Sequence, residues 1–180
     1  MFYTSLDDVV DTATDLDGQG YDVYFALATF SEAGSRRVNN TLSFKAFFLD
    51  LDCGPSKDFT TKEEAIAELR RFSKELKLPK PLMVNSGRGI HVYWALEEAV
   101  PTDDWLPVAN QLKAQCAQLN FLADPAVTAD AARVLRVIDT HNHKTDPPSK
   151  VEIYGVEPPP LVDFDAFAEL LGKNPLPVPQ

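Results

Sequence analysis

An α+β fold, with helices packed on an antiparallel sheet, is what this chain predicts, and three stretches carry the prediction. Residues 61–78 open on Thr61-Lys62-Glu63-Glu64, a capping box, and then place Ala65, Leu69, Phe72 and Leu76 at helical spacing until Pro79 and Pro81 end the run. Residues 82–85 and 90–96 are short strands joined by Ser86-Gly87-Arg88-Gly89, which makes a tight antiparallel hairpin. Residues 43–50 form a further strand, nearly all apolar toward its end, that runs into Asp50-Leu51-Asp52. With 180 residues, 44% of them hydrophobic, the chain can bury one compact core.

The other elements follow in order. Ser5 can N-cap a helix over residues 5–16, with Asp7 and Asp8 in the first turn, where the helix dipole favours negative charge. Residues 21–30 are rich in aromatic and β-branched side chains and predict a strand. Residues 31–40, with Gly34, Arg36, Arg37, Asn39 and Asn40, predict a polar loop. Asp103 or Asp104 begins a helix reaching about Leu119, residues 133–138 and 151–154 predict strands, and residues 163–171 a short amphipathic helix. The expected organisation is a main domain over residues 1–157, then a break at Pro158-Pro159-Pro160, the short helix, and an extended linker over residues 174–180 leading to further domains.

Composition narrows the function classes. No run of about 18 apolar residues occurs, so no helical membrane span is expected. The acidic N-terminus lacks the basic start and apolar block of a secretory signal. Cys53 and Cys116 are too few for a disulfide framework or a cysteine zinc site, and a reducing cytoplasm is the expected compartment. The formal net charge of −10 argues against a large basic surface and, taken alone, favours a protein that does not touch nucleic acid. A nucleic-acid partner would then be met by a local groove only.

Three constellations carry chemistry. Alternate strand residues share a face, so Asp50 and Asp52 point the same way. Two carboxylates so spaced at the end of a buried strand offer hard oxygen ligands to Mg²⁺ or Mn²⁺. Acids after a strand are also common turn formers. In the second constellation, Gly87 and Gly89 let backbone amides approach a ligand, Arg88 offers a planar fork for phosphate, and His91 on the returning strand can donate to a triphosphate oxygen. The same segment also fits a glycine-rich turn with a core histidine. In the third, Asp124, before the Pro125 turn, can complete a carboxylate trio with Asp50 and Asp52. Arg133 and Arg136, three apart on a strand, face opposite sides, so only one need enter the site, and Lys144 adds a point charge suited to phosphate. Each of these basic residues alone is also an ordinary solvated one. His141 and His143 read as loop histidines, with no cysteine or third histidine nearby in sequence to complete a zinc site.

Taken in order, these constellations resemble the archaeo-eukaryotic primase superfamily, especially the primase-polymerase domains of phage and plasmid replication proteins. Asp50-Leu51-Asp52 matches its first motif, Ser86-Gly87-Arg88-Gly89-Ile90-His91 its second, and Asp124 its third acid. Arg133-Val134-Leu135-Arg136 and Thr140-x-Asn142-x-Lys144 fit the downstream family pattern, with Ile138-Asp139 in place of the usual Pro-Gly and Gly89 where some members carry serine. The resemblance spans roughly residues 21–156.

The resemblance implies an RNA-recognition-motif-like antiparallel catalytic sheet flanked by helices, plus an N-terminal α/β unit. It implies a DNA primase or primase-polymerase, a two-metal nucleotidyltransferase working on a single-stranded DNA template. Asp50, Asp52 and Asp124 would hold two Mg²⁺ or Mn²⁺ ions. Ser86, Arg88, His91, Arg136 and Lys144 would bind the nucleoside triphosphate, and Arg36 and Arg37 are candidates for template contact. A fused or associated helicase is an expected partner. A replication-initiation endonuclease, a metal-dependent sugar-nucleotide transferase and a non-catalytic interaction domain are the rival readings. The first lacks a suitably placed tyrosine, and the second leaves the Gly-Arg-Gly-Ile-His segment unexplained.

Overall fold

The computed structural model describes residues 1–155 and 158–172, and the linker expected over residues 174–180 lies outside them. The chain forms α1 (Leu6–Gly18), β1 (Tyr24–Ala26), β2 (Ala28–Phe30), β3 (Thr41–Asp52), α2 (Lys62–Leu76), β4 (Leu82–Asn85), β5 (Gly89–Pro101) and α3 (Thr102–Gln118). Then come β6 (Val134–Arg136), β7 (His141–Asn142), β8 (Ser149–Lys150), β9 (Glu152–Ile153) and α4 (Phe164–Gly172). A five-stranded antiparallel sheet of order β2-β3-β5-β4-β9 is the centre of the fold. Two-stranded pairs β1-β6 and β7-β8 flank it.

The run β3-α2-β4-β5-α3, with β3 and β4 on either side of β5, is the RNA-recognition-motif-like unit that the motifs implied. Helix α2 begins as its capping box predicts. Thr61 Oγ1 accepts from the Glu64 N–H at 3.2 Å, and the Glu64 carboxylate reaches back to the Thr60 N–H at 2.8 Å. It buries Ala65, Leu69, Phe72 and Leu76, the four residues of its apolar stripe. Phe72 stacks on Phe121 with ring centroids 4.6 Å apart, which fixes the chain leaving α3.

Two strands differ from expectation for tertiary reasons. The stretch 21–30 divides at Leu27, whose N–H donates to the Arg133 carbonyl at 3.2 Å. Its first half pairs with β6 and its second half with β3, so one apolar run serves two sheets. Strand β5 continues past Leu96 to Pro101, where Val100 and Pro101 pair with Phe44 and Ser43 beyond an irregularity in β3. Glu97 and Glu98 are exposed there, so the apolar pattern ends before the strand does.

Side-chain alternation sorts the sheet into two faces. Phe47, Leu49 and Leu51 share one with their partners Trp94, Val92 and Ile90, and all six are at most 1% exposed. Phe167 of α4 lies 4.8 Å from Phe47 and 5.5 Å from Trp94, so α4 closes the same core. The other face carries Phe48 and Asp50 opposite Tyr93 and His91. Burying large side chains on both sides of Asp50 removes its freedom to move with solvent, which is what a positioned carboxylate needs.

Candidate active site

Sheet register sets the centre. Asp50 is paired directly with His91, and Asp52 with Gly89. His91 Nε2 lies 3.8 Å from Asp50 Oδ1, and the Tyr93 hydroxyl approaches His91 Nδ1 at 3.5 Å. Asp124 reaches the same place from 74 positions later in the chain, because its N–H donates to the Asp50 carbonyl at 2.9 Å. The three acids expected to act together are therefore brought to one end of β3.

Their electrostatics are unusual. Burial, then the neighbouring charges of Asp52 and Asp124, push the Asp50 carboxyl up to about 7, with Arg133 and Lys57 opposing. Burial, reinforced by Arg136 and Arg133, lowers His91 to about 4. His91 is thus neutral near pH 7, and its approach to Asp50 is not an ion pair. It has a neutral imidazole to offer, with Arg136 and Arg133 nearby and Asp52 opposing them.

The hairpin between β4 and β5 is tied down from two directions. Gly89 touches β3 so closely that a Cβ there would lie 2.3 Å from the Leu51 carbonyl oxygen. Gly87 has φ +93°, and a Cβ on it would lie 2.7 Å from Asn142 Nδ2. Asn142 is buried and donates to the Ser86 carbonyl at 2.9 Å, while its Oδ1 accepts from the Lys144 N–H at 3.1 Å. Both glycines thus have internal packing reasons, besides any approach to a ligand. Ser86 is buried at this junction, and the exposed Arg88 donates to the Lys144 carbonyl. Arg88 and Lys144 are consequently neighbours.

The downstream segment is anchored to the N-terminal unit. Arg136 is 6% exposed, bonds Asp22 Oδ1 at 2.6 Å and lies over the Tyr24 ring at 4.8 Å. His141 and His143 both reach Asp17, at 2.8 and 3.0 Å. Burial raises the carboxyls of Asp17 and Asp22. Hydrogen bonds from His141 and His143 to Asp17, and from Arg136 and the His143 backbone to Asp22, outweigh it and hold both below the usual carboxylate value. Asp139, standing where the family pattern has glycine, takes φ +65°. Aspartate tolerates that left-handed conformation better than most side chains.

Of the two cations that stand nearest the acids, Lys57 was not identified from sequence and Arg133 was left as one of two alternatives. Lys57 Nζ lies 2.7 Å from Asp52 Oδ2. It gets there because the loop after β3 folds back, with the Gly54 N–H bonded to the Phe59 carbonyl and the Phe59 N–H to the Asp52 carbonyl. Gly54-Pro55 is the only sequence signal of that return. Arg133 approaches Asp124 and Asp130 at 3.9 Å each. Strand periodicity left open which of Arg133 and Arg136 enters the site, and both act on His91. Of the template candidates, Arg36 donates to the Ala132 carbonyl at 2.9 Å, beside Arg133, and Arg37 lines a polar hollow with Glu32 and Asn40.

Among the described residues, no three His, Cys, Asp or Glu side chains converge closely enough to enclose an ion. The reason is visible in their partners. Asp52 is turned onto Lys57, and Asp124 Oδ1 accepts from the Ala126 N–H at 2.8 Å while its Oδ2 faces Arg133 at 3.9 Å. The donor set itself is the hard-oxygen kind that suits Mg²⁺ or Mn²⁺. Burial and, after it, the repulsion of Asp52 and Asp124 raise Asp50, and a divalent cation would relieve the repulsion that Lys57 and Arg133 offset in part here. No helix among the described residues is long and apolar enough to cross a membrane.

No protein-family model matches the sequence, and no curated protein matches it. A solved structure does. It is the AEP domain of the primase-polymerase of cyanophage S-2L, similar at a TM-score of 0.67 and 19% identity over 94% of this chain and 85% of that one. The chain has the archaeo-eukaryotic primase fold.

Proposed function

We propose that the domain is a template-dependent nucleotidyltransferase, a DNA primase or primase-polymerase that makes or extends primers on single-stranded DNA. The observation that carries this reading is the pairing of Asp50 with His91 across β3 and β5, with Asp52 on the same face and Asp124 bonded to the Asp50 carbonyl. It puts an acidic, metal-type donor set against a neutral phosphate-type donor.

Asp50, Asp52 and Asp124 would hold two Mg²⁺ or Mn²⁺ ions, which when bound activate the attacking 3′-hydroxyl and neutralise the leaving pyrophosphate. His91 donates to the triphosphate. Arg136, Lys144 and Arg88 surround it with positive charge, and Ser86, in the hairpin beside them, is a further proposed nucleotide contact. Catalysis is then positioning and charge neutralisation, without a covalent intermediate on the protein. The acidic surface is no obstacle, since the nucleotide arrives with its cations. Arg36 and Arg37 are proposed template contacts, and a fused or associated helicase a proposed partner.

The His91→Ala variant tests the phosphate side. Losing one hydrogen bond to a charged group costs roughly 1.5–3 kcal/mol, so nucleoside triphosphate binding should weaken at least about tenfold while single-stranded DNA binding holds. Equal losses for the two ligands in titrations would make His91 a structural residue. The Lys57→Met variant tests the metal side. Removing the cation that occupies Asp52 should tighten Mn²⁺ binding severalfold in calorimetry. Unchanged or weaker binding would take Asp52 out of the metal set.

A further inference from the structure

The Arg133 guanidinium at this site leaves its hydrogen-bonding capacity unspent. Its Nε is buried without a partner, and its terminal nitrogens stop 3.9 Å from Asp124 and Asp130, beyond hydrogen-bond reach. A guanidinium carries five donors in a rigid fork, and a buried donor left unmet is costly. The neighbouring arginine shows the contrast, since Arg136 is committed to Asp22 and Tyr24.

The backbone around Arg133 is held on three sides. Its N–H donates to the Asp130 carbonyl at 3.1 Å, its carbonyl accepts from the Leu27 N–H at 3.2 Å, and Arg36 bonds the preceding carbonyl of Ala132 at 2.9 Å. A pinned backbone with a half-exposed, uncommitted fork is the arrangement of a residue placed for a ligand. Its charge is felt at both Asp50 and His91, so that ligand lies where the acids and the phosphate donor meet.

We infer that Arg133 is a further substrate-binding residue, whose guanidinium moves off Asp124 onto a phosphate oxygen of the incoming nucleoside triphosphate. The inference rests on the nucleotidyl-transfer reading above. The exchange is balanced in charge. A divalent cation taking Asp124 deprives Arg133 of its nearest carboxylate as a polyanion enters the same space, and the fork matches phosphate geometry bidentately.

Equilibrium titrations of Mn²⁺ alone, and of a non-hydrolysable nucleoside triphosphate analogue with Mn²⁺, on the wild type, Arg133→Met and Arg133→Lys test this. The Met variant should bind the analogue roughly tenfold or more weakly, the loss expected for a charge-assisted hydrogen bond. It should bind Mn²⁺ alone as well as the wild type or better, because a positive charge has left the acids. The Lys variant should fall between, keeping the charge without the fork. Analogue binding unchanged in the Met variant overturns the inference. So does a joint loss of Mn²⁺ and analogue binding with a lowered melting temperature in both variants, which is the mark of a structural arginine. If the wild type binds neither Mn²⁺ nor the analogue, the nucleotidyl-transfer reading itself fails first, and that outcome is distinct from the other two.

Discussion

Asp50→Asn should abolish nucleotide incorporation and at the same time raise the melting temperature. The two effects have one cause. Asp50 sits in a buried position beside Asp52 and Asp124, and its carboxyl is raised from 3.8 to about 7. The folded chain therefore holds that proton more tightly than the unfolded chain does. Its contribution to stability is present below about pH 4 and is lost as pH rises to about 7, above which the buried charge costs on the order of a few kcal/mol. Asparagine keeps the shape and drops the charge. The variant should melt above the wild type at pH 8, with the gap closing toward pH 4. Melting curves at several pH values and an incorporation assay with Mg²⁺ or Mn²⁺ read both effects. A folded Asn variant that retains near wild-type synthesis would remove Asp50 from the catalytic centre.

Gly89→Ala should be the most destabilising small substitution in the site. A Cβ there would lie 2.3 Å from the Leu51 carbonyl oxygen and 3.3 Å from the Asp52 Cα, all backbone, so no side-chain rotation can relieve the clash. Strands β3 and β5 must separate where Asp52 pairs with Gly89. Forcing a methyl into a close-packed backbone contact costs roughly 1–3 kcal/mol or more, about 2–12 °C for a domain of this size. Because the displaced carboxylate belongs to the acidic set, Mn²⁺ affinity should fall with the melting temperature. Gly18→Ala is the control, since a Cβ there meets nothing within 4 Å. Equal melting temperatures for the two variants would show that β3 and β5 are not in this contact.

Much of this architecture can be read from local pattern. The capping box and apolar stripe of α2, the hairpin at residues 86–89 and the alternation of Asp50 and Asp52 are each short-range features, and each has its structural counterpart. What could not be read depends on partners far along the chain. Asp17 holds His141 and His143, and Asp22 holds Arg136, across more than a hundred residues. Nothing in the sequence around Asp17 or Asp22 announces those bonds. The division of residues 21–30 at Leu27 has the same origin, since the Arg133 carbonyl and not a local turn residue sets it. Strand periodicity left Arg133 and Arg136 as alternatives because it assigns faces but not partners, and only packing shows that Arg136 is bonded to Asp22 while Arg133 Nε has no partner.

The most direct test of nucleotidyl transfer is primer synthesis on unprimed single-stranded DNA, with ribonucleotides and deoxynucleotides supplied separately and Mg²⁺ or Mn²⁺ present, for the wild type and Asp52→Asn. The account predicts template- and metal-dependent products from the wild type with at least one sugar, and none from the variant. Absence of product from a folded wild type under every combination, or equal product from Asp52→Asn, would contradict it.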